Sequence, residues 1–153
     1  MLITFPKGLP GFEDYRRFEL QEEPEAPLAS LNSLDDENIG FVLLKPHTNF
    51  NDYPTKIKIN AEETELLEVQ EDDRVDIWVM LTLCLSDITK STANLRAPVI
   101  INPRTQKGLQ LILENEGFSY RQPLFDSARN PQTDREENLR EGGTADACSI
   151  QEG

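Results

Sequence analysis

The patterning of this chain predicts a mostly β fold: a small closed or partly open antiparallel β-barrel-like domain with one short helix. Three observations carry that expectation. From Val75 to Leu85, the residues Val75, Ile77, Val79, Leu81, Leu83 and Leu85 are all apolar at period two, while Asp76, Trp78, Met80, Thr82 and Cys84 form a mixed opposite face. A strand with one apolar and one mixed face suits the middle of a curled sheet; Val75, Ile77, Val79, Leu81 and Leu83 are expected on a common interior face, with Trp78 at least partly buried. Other short apolar runs recur through the first 125 residues, each closed by proline, glycine or an acidic turn. Strands and helices do not alternate in the manner of βαβ units, which argues against a parallel α/β architecture.

The elements follow in order. Leu2 to Phe5 is a short apolar run ended by Pro6, after which Gly8, Pro10 and Gly11 impose a turn. Arg17 to Gln21 alternates, with Phe18 and Leu20 on one face. In Leu28 to Leu34, Leu28 and Leu34 share a face and Leu31 takes the other, so the register stays open. Asp35 to Asn38 is a polar turn, and Phe41 to Leu44 is an apolar strand stopped by Pro46. Asn60 is a suitable N-cap for a helix of about two turns. Glu62 and Glu63 lie in its first turn, where the helix dipole favours acids, and Leu66 and Leu67 face inward. The run Val99-Ile100-Ile101 begins or bends at Pro98, because proline belongs at edges and bulges. Leu109, Leu111 and Leu113 align along a last strand.

Two regions are expected: a folded domain over 1–125 and an acidic, disordered C-terminal tail over 126–153. The tail's sizeable aliphatics are Leu139 and Ile150, too few to offset the entropy of ordering it. The whole chain of 153 residues carries 28 acids against 15 bases, a formal charge of -13. Phosphate backbones are held by Lys and Arg, and anionic membrane surfaces repel acids. Direct nucleic-acid binding and membrane association are therefore disfavoured, whereas a basic protein partner is a natural match. The N-terminus lacks the basic-then-apolar pattern of a signal peptide, and no apolar stretch approaches the ~20 residues of a membrane span. Cys84 sits in the most apolar run and Cys148 in a polar segment. Two unpaired thiols in a reducing, cytoplasmic setting are expected.

The residues for catalysis do not assemble into a motif. His47 is the only histidine, and one histidine cannot complete the usual zinc or iron sites without several other ligands. It follows Pro46 in a loop, where a solvent-exposed role is expected. Phosphate-loop and nucleophile-elbow patterns are missing from the chain. Cys84 reads as an inert packed thiol, since a nucleophile needs an electropositive setting. The acid clusters Glu71, Asp72, Asp73, Asp76 and Asp35, Asp36, Glu37 lack the ligand spacing of a calcium loop. They read as solvated turns, with a hydrolase using surface carboxylates as the weak alternative. No cofactor and no metal is expected.

Four ordered blocks extend the reading. Phe5-Pro6-Lys7-Gly8-Leu9-Pro10-Gly11-Phe12-Glu13 opens the chain. Phe41-Val42-Leu43-Leu44-Lys45-Pro46 follows Ser30-Leu31 and leads to Asp52-Tyr53. Thr92 to Asn102 reads TANLRAPVIIN, and Gly108-Leu109-Gln110 precedes Tyr120-Arg121. Together they resemble the family of flagellar assembly factors called FliW, across Ile3 to Phe125. The resemblance implies a β-barrel-like domain with no enzymatic activity. It also implies two protein partners. One is the translational regulator CsrA, whose repression of flagellin mRNA such a protein relieves through an allosteric effect. The other is flagellin itself, in a partner-switching cycle. A flagellin-only chaperone is the alternative. Among motif residues, Gly8, Pro10 and Gly11 read as turn formers. Phe12, Asp52, Tyr53, Asn94, Asn102 and Gln110 are the candidate protein-binding residues. Asp52 and Tyr53 lie in a loop, where binding residues concentrate, while Asn94 and Asn102 also suit backbone satisfaction at bends.

Overall fold

The computed structural model describes residues 1–114 and 117–125. The described strands are β1 (Leu2–Thr4), β2 (Arg17–Glu22), β3 (Leu28–Ser33), β4 (Gly40–Leu44), β5 (Asp76–Thr82), β6 (Thr92–Ala93), β7 (Val99–Asn102), β8 (Lys107–Gln110) and β9 (Gln122–Pro123). The helix α1 (Ala61–Leu67) lies between β4 and β5. Seven strands run in the spatial order β4-β3-β2-β1-β8-β7-β5, and a β4–β5 pairing closes them into a barrel. Short β6 pairs with the end of β5, and β9 pairs with β6. The pairings are antiparallel except β1 with β8, which meet in parallel at Thr4 and Lys107. The expected mostly β barrel with one short helix is the observed fold. The tail expected over 126–153 lies outside the described residues.

Alternation around the ring produces two cores. Inside the barrel, Ile3, Phe5, Phe18, Leu20, Ala29, Leu31, Leu43, Trp78, Val99 and Ile101 pack as one buried cluster. Phe5 and Phe18 meet edge to face at 5.4 Å between centroids, the arrangement ring quadrupoles favour. The register that β3 left open is thereby settled: Ala29, Leu31 and Ser33 point inward. Outside the barrel, Leu44, Ile77, Val79, Ile100, Leu109 and Leu111 form a second cluster with Tyr53, Ala93, Leu95 and Leu67 of α1.

The period-two reading of β5 requires one correction. Its aliphatics do share a face, but that face is the outer one; the mixed face, with Trp78 buried, fills the barrel. Only Ile77 and Val79 of the outer row are buried, and beyond the strand Leu85 is 77% exposed. A seven-stranded barrel closes on a few large side chains, so Trp78 goes inside and the aliphatic row is left for a second layer. The predicted strand also overshoots, since β5 ends at Thr82.

Local chemistry explains the element ends. Gly8 adopts φ +67°, and a Cβ there would lie 2.6 Å from the Glu13 Cα; the turn after β1 therefore demands glycine twice over. Asn60 caps α1 as expected: its Oδ1 accepts from the Glu63 N–H at 2.7 Å while Glu63 Oε1 accepts from the Asn60 N–H at 2.9 Å, a reciprocal capping box. Beyond β8, the Leu111 and Leu113 N–H groups still donate to Pro98 and Arg96 carbonyls, which extends the aligned leucine row past the strand.

Cys84 is disulfide-bonded, not the unpaired thiol expected; Cys148 lies outside the described residues. No helix among the described residues is long and apolar enough to cross a membrane.

Candidate protein-docking site

The outer aliphatic face is unevenly covered. Over β5, β7 and β8 it is roofed by Leu66 and Leu67 of α1, and by Phe50, Tyr53 and Phe118. Toward β3 and β4 it opens into an apolar groove of about 420 Å³. Val42 and Leu44 of β4 form its floor with Leu81 of β5. Its walls come from Pro27 and the first residue of β3, Leu28, from the segment after β5 (Leu83, Ile88) and from Leu124 and Phe125. Polar lining is limited to Asn49 and Ser91, and the Ser91 hydroxyl already accepts from the Cys84 N–H at 2.9 Å. Ile88 and Phe125 are 52% and 48% exposed. Exposed apolar surface gathered in one place, rather than scattered singly, marks a contact site.

The six sequence-nominated residues do not converge on this groove. Phe12 packs half-buried against the barrel core, edge to face with Phe41 at 5.3 Å. Asp52 is exposed in the loop after β4. Tyr53 is buried; its hydroxyl donates to the Leu95 carbonyl at 2.7 Å, and burial pushes its ionisation well upward. Asn94 Oδ1 accepts from the Ala97 N–H at 3.0 Å. Gln110 turns into the barrel, where Nε2 donates to the Ala97 carbonyl at 3.0 Å. Asn102 is fully buried, with Nδ2 donating to the Leu67 carbonyl at 3.0 Å and to Asp73 Oδ2 at 3.2 Å.

Those last contacts belong to a clamp that fixes α1. Leu67 O also accepts from Thr105 Oγ1 at 2.8 Å, and Arg104 Nη2 reaches the Glu68 carbonyl at 2.7 Å. Arg104 simultaneously grips Asp73 through Nε at 2.8 Å and Nη2 at 3.0 Å. The helix's unpaired C-terminal carbonyls are thus satisfied from the β7–β8 turn. The Arg104 guanidinium, with the Gln70 N–H, holds the Asp73 carboxyl down at about 2. Read from sequence as part of a solvated turn, Asp73 is instead the anchor of this clamp.

The remaining polar candidates do no visible chemistry. His47 is half-buried rather than simply solvent-exposed, with Nε2 2.8 Å from the Pro54 carbonyl. At one barrel mouth Lys45 stands 5.3 Å from the Trp78 ring centroid and 3.4 Å from Glu22. Nearby Asp76 titrates above the usual carboxylate range, chiefly through burial, with Lys45 opposing and Glu22 adding to the rise. Among the described residues, no three His, Cys, Asp or Glu side chains gather to hold a metal ion.

The groove escaped sequence reading because its lining comes from four separate stretches of chain, 27–28, 42–49, 81–91 and 124–125. The available signal was the pair Leu81 and Leu83, which continue the aliphatic row of a segment whose opposite face is also half apolar.

Comparison with known proteins agrees with the fold and the motif blocks. The family model described as FliW protein matches residues 1–124. The flagellar assembly factor FliW of Clostridium tetani is 38% identical over 126 residues, spanning 81% of this chain and 84% of that protein. The Thermotoga maritima factor of the same name is 35% identical over 133 residues, 86% of this chain and 88% of its own. A crystal structure of the flagellar assembly factor FliW superposes with a TM-score of 0.73 at 31% identity, covering 82% of this chain and 86% of that one. With the family model covering most of its length and relatives above one-third identity, this chain belongs to the FliW family of flagellar assembly factors.

Proposed function

We propose that this chain works in the cytoplasm by binding proteins, without catalysing a reaction. It binds a CsrA-type translational regulator and relieves its repression of flagellin mRNA, and it binds flagellin in a partner-switching cycle. The observation that supports this most is the apolar groove beside the roofed part of the outer sheet, in a chain that belongs to a family of assembly factors. A formal charge of -13 favours encounter with basic partners and disfavours nucleic acid. Of the six motif residues, exposed Asp52 is proposed as a direct contact. Phe12, Tyr53, Asn94, Asn102 and Gln110 act by holding the surface that partners meet. Mixing the purified chain with CsrA or with flagellin at micromolar concentration on a sizing column is expected to give co-eluting complexes. Co-elution with flagellin alone would leave a chaperone without the regulatory arm; no shift with either would refute the reading.

A further inference from the structure

Resting on that protein-binding reading, we infer that the groove between β3, β4 and the end of β5 receives an amphipathic α-helix of the partner, aliphatic along one face and basic along its flanks. The outer aliphatic face is one continuous surface. Leu28, Leu44 and Leu81 of the groove pack against the same cluster that contains Ile77, Val79 and Leu67. This chain covers the first half of that surface with its own helix, whose Leu66 and Leu67 rest on the sheet. The open half offers the same aliphatic floor, so the element that completes it is a second helix set down beside the first. Strand addition is a poorer match, because β4 and β5 have both edges occupied: β4 by β3 and β5, and β5 by β4, β6 and β7. A small polar ligand is poorly served by a lining with two polar residues.

Charge selects the flanks of the incoming helix. The turn that leads into Pro27 carries Glu23 and Glu25, both exposed, in a chain with an excess of 13 negative charges. Basic residues beside the aliphatic stripe complement that rim, and acidic ones are repelled.

The test uses the full chain and a labelled synthetic peptide of about eighteen residues, five helical turns, with leucines on one face and lysines on the other. Fluorescence anisotropy is expected to show saturable binding. Replacing the lysines by glutamates should weaken it at least about tenfold, as should scrambling the leucine spacing. The double variant Leu83→Glu, Ile88→Glu should lose about tenfold or more. Leu34→Glu, an exposed leucine elsewhere (53% exposed), should bind like the unaltered chain; circular dichroism checks that each variant is folded. Equal binding of the scrambled peptide, or no effect of the double variant, overturns the inference. So does a self-associated chain whose dimer is broken by the double variant, since a second copy would then fill the groove. A gain of about tenfold in peptide affinity when Leu139 and Ile150 are changed to serine would assign the groove to the chain's own C-terminal segment, and also overturns it. If complexes with CsrA or flagellin survive the double variant, the groove is the wrong place while the protein-binding function stands. If the unaltered chain binds neither, that function fails while the peptide still tests the groove.

Discussion

Two glycines in one turn show how far a single residue type can differ in purpose. Gly8 and Gly11 both have positive φ, at +67° and +84°, a region where a side chain costs about 1–2 kcal/mol. Gly8 is also hemmed in by backbone: a Cβ would stand 2.6 Å from Glu13 Cα and 2.7 Å from its carbonyl oxygen, whereas Gly11 faces open space. Neither backbone atom can yield without moving the chain that seats Leu9 and Phe12. Gly8→Ala is therefore expected to destabilise the domain by about 3 kcal/mol, and Gly11→Ala by about 1 kcal/mol. Urea denaturation of the two variants checks the difference; equal losses would mean that the turn relaxes around a methyl group. The motif's glycines were legible from sequence as turn formers, but their inequality was not. It depends on where Glu13 folds back.

Among elements, α1 and β5 show what periodicity can and cannot reveal. The N-cap of α1 at Asn60 was readable because capping acts within one turn of chain, and the structure adds the reciprocal bond from Glu63. The clamp on its other end was hidden, because Asn102, Arg104 and Thr105 reach Leu67 and Glu68 from more than thirty residues away. That clamp carries a pH signature. Asp73 is held at about 2 when folded, below the ordinary carboxylate value of 3.8, because Arg104 and the Gln70 N–H favour its charged form. A carboxylate with a lowered folded pKa contributes stability above its unfolded pKa, and that contribution fades as protons are added. Asp73→Asn should thus be less stable than the unaltered chain at neutral pH. The gap should narrow between about pH 4 and pH 2, measured by thermal melts across that range. A gap independent of pH would show that the carboxylate charge is not what holds the clamp. For β5, alternation named two faces without saying which one meets the barrel interior. That choice is made by partner strands distant in sequence, and by the room a seven-stranded ring leaves for Trp78. The distinction has an energetic consequence. Ile77 is buried beneath the outer layer, whereas Leu81 is half-buried on the groove floor. Ile77→Ala should cost about 2–4 kcal/mol by leaving a cavity, and Leu81→Ala about 1 kcal/mol. Matching values in chemical denaturation would mean that the groove is closed in solution.

At the scale of the molecule, the barrel separates stability from recognition. Its interior is sealed by aromatic and aliphatic side chains, and its polar motif residues are largely hydrogen-bonded within the fold. What remains for a partner is the incompletely roofed outer face and the surrounding negative field. Composition disclosed the field, motif blocks disclosed the family, and neither disclosed the groove, whose floor exists only after β4 and β5 pair. These two resources act at different stages of association. Long-range attraction between an acidic chain and a basic partner raises the encounter rate and is screened over roughly 8 Å at physiological ionic strength. Apolar burial in the groove acts only after contact, and governs how long the complex lasts. Raising salt from about 50 mM to about 500 mM should slow association with the proposed CsrA-type partner or a basic helix about tenfold or more, while dissociation changes little. Leu83→Glu with Ile88→Glu should do the reverse, speeding dissociation with a smaller effect on association. Stopped-flow measurements at several salt concentrations separate the two rate constants. If salt acts mainly on dissociation, the charges belong to the docked interface itself, and the separation of a steering field from an apolar seat is lost.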